Sequence, residues 1–511
     1  MKKALSLILC LLMLTALVLT ACTPSSGDES KADGSVAPSQ SGESSGTEDA
    51  DSPYYDEDND VYHLPDSMPE FDFEQKTFTI GVTNEQGEST YYNEDVLPRE
   101  NTDEAIRAAL EERNNVILER YGVEIKTYDT EKIADDIREV ALTGEDLFDA
   151  AMPFMSAATL LAADNKLQDL NNFSDYLHFD APWWEDTATE TATIKGKTFF
   201  TTGDISIMPK IVSFSIVFNK GMLNDIDSTA DLYQEVRDGT WTFDRLVELS
   251  RMAASNNIGT TGDDPNATWG LSSSITDPRA YYVAAGQNFC TINASGVPQI
   301  SIGSDRSVTV AQKLLQTYAD YQSWGCYICN NDNGKVTNIW ATSLDVFGEG
   351  RCLFRSNAFS AVKKLRSYTK GVEFGILPLP KYEEAQDEYY TFTNPDYATC
   401  IVIPANVKNP EFSAYMIEVL ACESKNYLTD AYYEVVLKDR DSKDPESEEM
   451  LDNYVFKNIV YDVGIVYNFN SIGTVLTTLT SSGSTDIAST LASSKDATQT
   501  AIDQLIANYG G

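Results

Sequence analysis

The feature that most constrains the fold is a sustained alternation of strand and helix patterns that begins near residue 77. Phe78, Ile80 and Val82 alternate with Thr77, Thr79, Gly81 and Thr83, the two-residue period of a strand with one face more buried than the other. Asn101 to Tyr121 then reads as a helix. Asn101 stands at its cap, Glu104 at the capping-box position, and Ile106, Leu110, Ile117 and Tyr121 along one face. Arg113 interrupts that face and is expected at its rim. Gly122 ends the helix, Val123-Glu124-Ile125-Lys126 starts a second strand, and Asp146 to Met152 forms a third, followed by a helix through Leu160 and Leu161. A β-α-β-α-β opening favours an open, mostly parallel sheet, and such sheets bind ligands at the carboxyl ends of their strands. Here those ends are Thr83-Asn84-Glu85 and Pro153-Phe154-Met155-Ser156. Asn84, Phe154 and Ser156 are therefore candidate ligand contacts.

The alternation continues. Lys197 to Thr201, Ser213 to Phe218, Arg351 to Arg355, Phe374 to Leu377 and Thr399 to Ile403 read as strands. Phe243 to Ala254 (capped by Thr242), Val308 to Tyr321, Glu411 to Ala421, Ser447 to Phe456 and Asp496 to Asn508 read as helices. The chain has 511 residues, enough for two or three domains. The pattern points to two α/β lobes rather than one such unit joined to a β-sandwich.

Composition removes several functions. There are 79 Asp and Glu against 37 Lys and Arg, for a net charge of −42. A surface of that sign repels nucleic-acid phosphates and anionic lipid headgroups. Two histidines leave almost nothing from which to build a Ser-His-Asp triad or a multi-histidine zinc site. No nucleophile elbow, metal motif or phosphate loop is present, and no cofactor is expected.

The amino terminus sets the location. Lys2 and Lys3 precede the apolar run Ala4 to Thr20, which leads into Leu19-Thr20-Ala21-Cys22. This is the layout of an export signal, with residues 1–21 removed. Its ending resembles the bacterial lipobox, in which the cysteine, here Cys22, is lipidated and becomes the first residue. The expected place is the outer face of the cytoplasmic membrane, held there by the lipid. Residues 23–74 hold 15 acids and one lysine, so residues 22–74 read as a lipidated cysteine and an extended, disordered acidic spacer. Asp56, Asp58 and Asp60 alternate as at the start of a calcium loop, but Val61 stands where that loop needs glycine, and the run reads as solvated acid. Of the remaining cysteines, Cys290, Cys326, Cys329, Cys352, Cys400 and Cys422, only Cys326 and Cys329 are closely spaced. Disulfides, structural thiols, redox use and metal binding all stay open, with the first two favoured.

A resemblance rests on an ordered series of short segments. These are Glu112-Arg113-Asn114 leading to Glu119-Arg120-Tyr121-Gly122-Val123; Asp149-Ala150-Ala151-Met152-Pro153 followed by Leu167-Gln168-Asp169-Leu170; Gly196-Lys197-Thr198-Phe199-Phe200 through Phe218-Asn219-Lys220; Trp241-Thr242-Phe243-Asp244-Arg245-Leu246; and Phe347-Gly348-Glu349-Gly350-Arg351 before Gly375-Ile376-Leu377-Pro378-Leu379-Pro380. In this order, over residues 75 to 470 and behind a lipobox, the chain resembles the bacterial extracellular solute-binding proteins of family 1, the carbohydrate-binding lipoproteins of ABC importers. The resemblance implies a two-lobe periplasmic-binding-protein-like (Venus flytrap) fold that closes over a ligand, each lobe a mostly parallel sheet flanked by helices. On that reading residues 75–203 and 347–380 form lobe 1, and residues 204–346 and 381–511 form lobe 2. It further implies a monomer that binds a small carbohydrate, an oligosaccharide, hands it to permease subunits, and catalyses nothing. A calcium loop known in some members would fall at Gly259 to Asn266, but regular acid alternation is missing there.

Sugars offer C–H faces to aromatic rings and hydroxyl edges to Asp, Asn and Arg. With 27 Tyr, 21 Phe and 6 Trp, the chain has rings to spare. Trp183 and Trp184 are a candidate stacking platform, and Trp324 and Trp340 flank Asn-rich loop sequence, whereas Trp241 reads as structural. Asp204 at the first expected crossing between lobes, Arg355 and Asn357 at the second, and Tyr397 at the third are candidate hydrogen-bonding or stacking groups, with Tyr467 a further one. The competing readings are a secreted carbohydrate-active enzyme, which needs two carboxylates about 5–9 Å apart, and a sensory or adhesive surface lipoprotein.

Overall fold

A computed structural model describes residues 52–84, 92–254, 266–326, 339–365, 371–432 and 444–510. Cys22, the signal segment, most of the acidic spacer, residues 259–265 of the glycine-rich loop and Cys329 lie outside the described residues.

The first sheet is parallel, in the order β2-β1-β3, where β1 is Thr77–Thr83, β2 Glu124–Thr130 and β3 Ala150–Met152. Phe78, Ile80 and Val82 are fully buried on β1, as their alternation predicts. Helix α1, Glu104–Tyr121, joins β1 to β2. Asp103 rather than Asn101 caps it, accepting the Ala105 N–H at 2.9 Å, and Gly122 closes it in the left-handed conformation at φ 67°. Arg113 is not at a rim. It is fully buried and donates to the carbonyls of Asp95 (2.9 Å) and Val96 (2.8 Å) and to Ser424 (3.0 Å).

The second sheet has five strands in the order β6-β5-β7-β4-β8. Strand β4 is Phe214–Asn219, β5 Trp269–Ser272, β6 Gly325–Cys326, β7 Cys352–Ala358 and β8 Phe374–Leu377. It is mixed, because β4 runs antiparallel to both β7 and β8, whereas β5, β6 and β7 are parallel. The pairing corrects the expected division of the chain. Residues 347–380, expected in lobe 1, supply β7 and β8 of the second sheet. Residues 399–404, expected in lobe 2, pair with Phe154, Thr201, Ala151 and Leu167 of the first, and the helix that follows them, Pro410–Ser424, packs on α1. The return strand at residues 399–404 consists of isolated bridges rather than a ladder.

Residues 52–74 are also corrected from disordered spacer to packed strap. Tyr55–Asp56 and Val61–Tyr62 form a small hairpin, whose turn is held by the Asp56 carboxylate accepting the N–H groups of Asp58 and Asn59. The Asn426 side chain both accepts from and donates to the Tyr62 backbone, like a paired strand. Phe71 and Phe73 pack edge-on against Phe412 and Tyr415. Buried aromatic surface here outweighs the repulsion among acids. Among the described residues no helix is long and apolar enough to cross a membrane. Cys290, Cys352, Cys400 and Cys422 are buried free thiols, and Cys326 is buried as well.

Two chain segments, residues 201–213 and 393–401, join the sheets by running antiparallel to one another. Thr201 bridges Ile401 at the first sheet, and Ser213 bridges Thr393 at the second. Between these points Ser206 donates its hydroxyl to the Asp95 carboxylate, and its oxygen lies 2.6 Å from the Thr399 hydroxyl. Asp95 therefore ties both crossings to the loop that Arg113 holds. Burial pushes the Asp95 carboxyl up to about 7, against the pull of Ser206 and Arg113.

That shift has a measurable sign. Folded Asp95 keeps its proton to about pH 7, whereas an unfolded aspartate releases it near 4, so this group costs stability as pH rises through that window. Asp95→Asn removes the cost. The stability of Asp95→Asn relative to the parent, from urea unfolding, should rise by on the order of 3 kcal/mol between pH 4 and pH 8, while Asp277 and Asp462 titrate alike in both proteins. A difference that stays flat over this range would show that Asp95 ionises normally.

Candidate functional site

The crossings bring the carboxyl ends of the two sheets to a common edge. Phe154 follows β3, and its ring lies 5.9 Å from that of Tyr397 in the second crossing. The Ser156 N–H donates to the Pro395 carbonyl at 3.2 Å. Tyr397 is 40% exposed, one of few large hydrophobic side chains so presented among the described residues. From the same turn, Asn394 Oδ1 accepts from Arg279 Nη2 at 3.4 Å. Arg279 belongs to the helix Asp277–Ala284 that follows β5. Phe154, Tyr397, Asn394 and Arg279 thus form an unbroken path from the end of one sheet to the end of the other.

On the first-sheet side, the Asn84 backbone N–H donates to the Thr130 carbonyl at 3.1 Å. The Asn84 side-chain oxygen and the Thr83 hydroxyl are buried without a hydrogen-bond partner. On the second-sheet side, Arg355 sits in β7 beside the end of β5. Its Nη1 donates to Ser343 Oγ (2.9 Å) and Ser272 Oγ (3.3 Å), and its Nε is buried without a partner. Asn357 is paired in register with Ser215 of β4, and its side-chain oxygen accepts the Ala358 N–H. Arg279 packs its guanidinium over the Phe392 ring at 5.1 Å and also leaves Nε without a partner. Burial raises Asp277 to about 6, although its carboxylate accepts from Ser273 Oγ (2.6 Å) and the Ser274 N–H (3.1 Å). A buried polar atom left unpaired costs about 1–3 kcal/mol, so this edge holds unused bonding capacity on both sides.

Other expected residues lie elsewhere. Trp183 is fully buried with its ring edge against Tyr54 at 5.4 Å, and Trp184 donates its indole N–H to Glu418 at 3.0 Å. Neither presents a ring face. The pair instead backs the first crossing. A side chain at Gly203 would place its Cβ 2.1 Å from the Trp183 carbonyl oxygen, so only glycine lets the crossing lie this close. Asp204 next to it is committed to Lys210 (3.2 Å), Lys425 (3.7 Å) and the Thr429 hydroxyl (2.9 Å). Burial opposes its ionisation, but the two lysines outweigh that and hold its carboxyl below the ordinary value. Trp324 is buried against Tyr321, with Arg251 over its ring and its carbonyl accepting the Gly270 N–H toward the amino end of β5, away from the common edge. Tyr467 stacks on Phe469 and donates to the Ala192 carbonyl. Trp340 belongs to the helix Ile339–Gly348, and its side chain lies outside the described residues.

Arg279 and Asp277 were missed. The available signal was Leu271-Ser272-Ser273-Ser274, three serines at the carboxyl end of a strand running into Asp277-Pro278 at a helix start. A separate groove of 530 Å³ lies between the helix Asp186–Ala192 and the hairpin of Cys290–Ile292 and Pro298–Ile300. Thr191 and Thr193 on its wall already donate to the carbonyls of Tyr461 and Thr189, which makes it the poorer site.

No protein-family model matches the sequence, and no curated protein matches it. Solved structures do. A cyclo/maltodextrin-binding protein complexed with maltotetraose aligns at TM-score 0.51 and 12% identity, covering 86% of this chain and 97% of that one. An ABC substrate-binding protein from Listeria monocytogenes in complex with cycloalternan aligns at TM-score 0.50 and 12% identity, covering 86% of this chain and all of that one. The chain shares with them the two-lobe, periplasmic-binding-protein-like fold.

Proposed function

We propose that this chain is an extracytoplasmic solute-binding lipoprotein, anchored through Cys22, that captures an oligosaccharide between its lobes and delivers it to an ABC importer without altering it. The first lobe comprises the parallel sheet with residues 399–432, and the second comprises the mixed sheet with residues 444–510. The observation that carries the reading is the common edge. An exposed tyrosine lies at the crossings, with unpartnered polar groups of the first sheet (Thr83, Asn84) on one side and of the second (Arg279, Arg355) on the other. Two of the solved structures with this fold are complexes with maltotetraose and with cycloalternan, which supports this ligand class.

The geometry supports a mechanism of closure. A sugar ring rests its C–H face on Tyr397, which stands edge-on to Phe154, and its hydroxyls pair with groups from both lobes. Contacts made to both walls at once exist only when the lobes are closed, so ligand shifts the population toward closure by the free energy of those contacts. The importer then reads the closed arrangement rather than the sugar.

Calorimetry against an oligosaccharide panel tests the site. Tyr397→Ala should weaken the bound member by about tenfold, roughly 1.4 kcal/mol, and leave the unliganded melting temperature within a degree or two, because the ring is partly solvent-exposed. Wild-type affinity in this variant would remove the crossings from the ligand site. The bound sugar should be recovered unchanged after prolonged incubation, and its turnover would favour the enzyme reading. Separately, Cys22→Ala should leave the protein unprocessed or release it from the membrane. A variant that is processed and anchored like the parent would end the lipoprotein assignment.

A further inference from the structure

Arginine is scarce in this chain, and where it occurs among the described residues it mostly meets acid. Arg99, Arg120, Arg138, Arg237, Arg245, Arg251, Arg306 and Arg351 all pair with carboxylates. Arg107 and Arg113 spend their donors on backbone carbonyls and a serine instead, and Arg279 and Arg355 also lack a carboxylate contact. The latter two are 6% and 5% exposed. Their hydrogen bonds run to neutral acceptors, namely Asn394, Ser272 and Ser343, and each leaves Nε buried without a partner. Both stand at the common edge, each within electrostatic reach of Asp277. The Asp277 carboxylate is already occupied by Ser273 and Ser274. Asp396 also lies near Arg279, but on the exposed turn, where water screens it.

Burying a cation is costly where no carboxylate touches it directly. Among the described residues no acid makes a salt bridge with these two, in a chain that has 79 of them. The planar guanidinium fork matches a carboxylate through two parallel N–H groups, which a lone hydroxyl does not use. Resting on the proposed capture of a saccharide, we infer that the saccharide is acidic: Arg279 and Arg355 form an anion subsite, beside the Tyr397 stacking surface, for the carboxylate of a uronate unit. Such a subsite also solves a problem of sign. Without local cations, a net charge of −42 would repel an anionic sugar.

The test compares matched pairs. Calorimetry with the mature full-length chain uses oligogalacturonate and oligoalginate, the carboxyl-reduced neutral form of each, a maltooligosaccharide series, and free galacturonate. An acidic oligosaccharide should bind at least tenfold tighter than its reduced counterpart. That preference should shrink with added salt, and it should fall below threefold in Arg279→Gln and in Arg355→Gln. Arg355→Lys and Arg279→Lys, which retain charge, guard against misfolding and should keep part of it. Neutral forms that bind as tightly as acidic ones, or a preference that survives both glutamine variants, would overturn the anion subsite while leaving saccharide capture intact. Tight binding of free galacturonate without gain from added sugar units would overturn the saccharide part and leave a carboxylate site. Binding of neither series would overturn the proposed function and the subsite with it.

Discussion

The hydroxyl of Ser206, held between the Asp95 carboxylate and Thr399, is the point on which the two halves of this molecule depend. It lies where two crossings pass in opposite directions, each belonging to one sheet at one end and to the other sheet at the other. The bridges Thr201 to Ile401 and Ser213 to Thr393 fix the ends of this short ribbon. Nothing wider than the ribbon is needed to set the edge that Phe154, Tyr397, Asn394 and Arg279 form. Hinge motion at such a ribbon is absorbed by a few backbone dihedrals, although the two halves also meet beside it, through Thr191 and the Tyr461 carbonyl and through Phe199 and Tyr509. Gly203 permits the close approach of the first crossing to Trp183 and Trp184, and the salt bridges of Asp204 pin that same segment to residues 425–429.

The shortage of bases shapes the interior. Asp95, Asp277 and Asp462 are buried with hydroxyl or backbone N–H donors as their direct partners, and no salt bridge. Burial raises all three, to about 7, 6 and 7. Glu418 is likewise buried, held by the indole of Trp184 and by His178, one of only two histidines. Dipolar donors stabilise a carboxylate less than a guanidinium does, so desolvation wins. Arg279 and Arg355 at the common edge are the converse, buried cations within electrostatic reach of Asp277 but with no carboxylate in direct contact among the described residues.

What could be read in advance was local. The alternation of Phe78, Ile80 and Val82, the Thr242 cap of the helix from Phe243 and the carboxyl ends at Asn84 and Phe154 depend on neighbours within a few residues, and all appear as expected. The division of lobes was not legible, because β7 could pair with either sheet and only partners about eighty residues or more away decide it. The strap at residues 52–74 was hidden by its acidity, since the few aromatic residues that bind it down find their partners in a helix beyond residue 410. The tryptophans misled for a related reason. A Trp-Trp pair after proline in polar sequence suits a platform, but Tyr54 and Glu418, both distant in sequence, cover it. Arg113 looked like a break in an apolar face, whereas carbonyl acceptors from residues 95 and 96 make it a fully buried anchor.

Closure of the lobes around a saccharide is the central claim, and small-angle X-ray scattering measures it most directly. The radius of gyration of the chain should fall when a saccharide identified by calorimetry is added to saturation, and the scattering should fit a single compact form. A radius that stays the same at saturation would contradict a ribbon of crossings acting as a hinge.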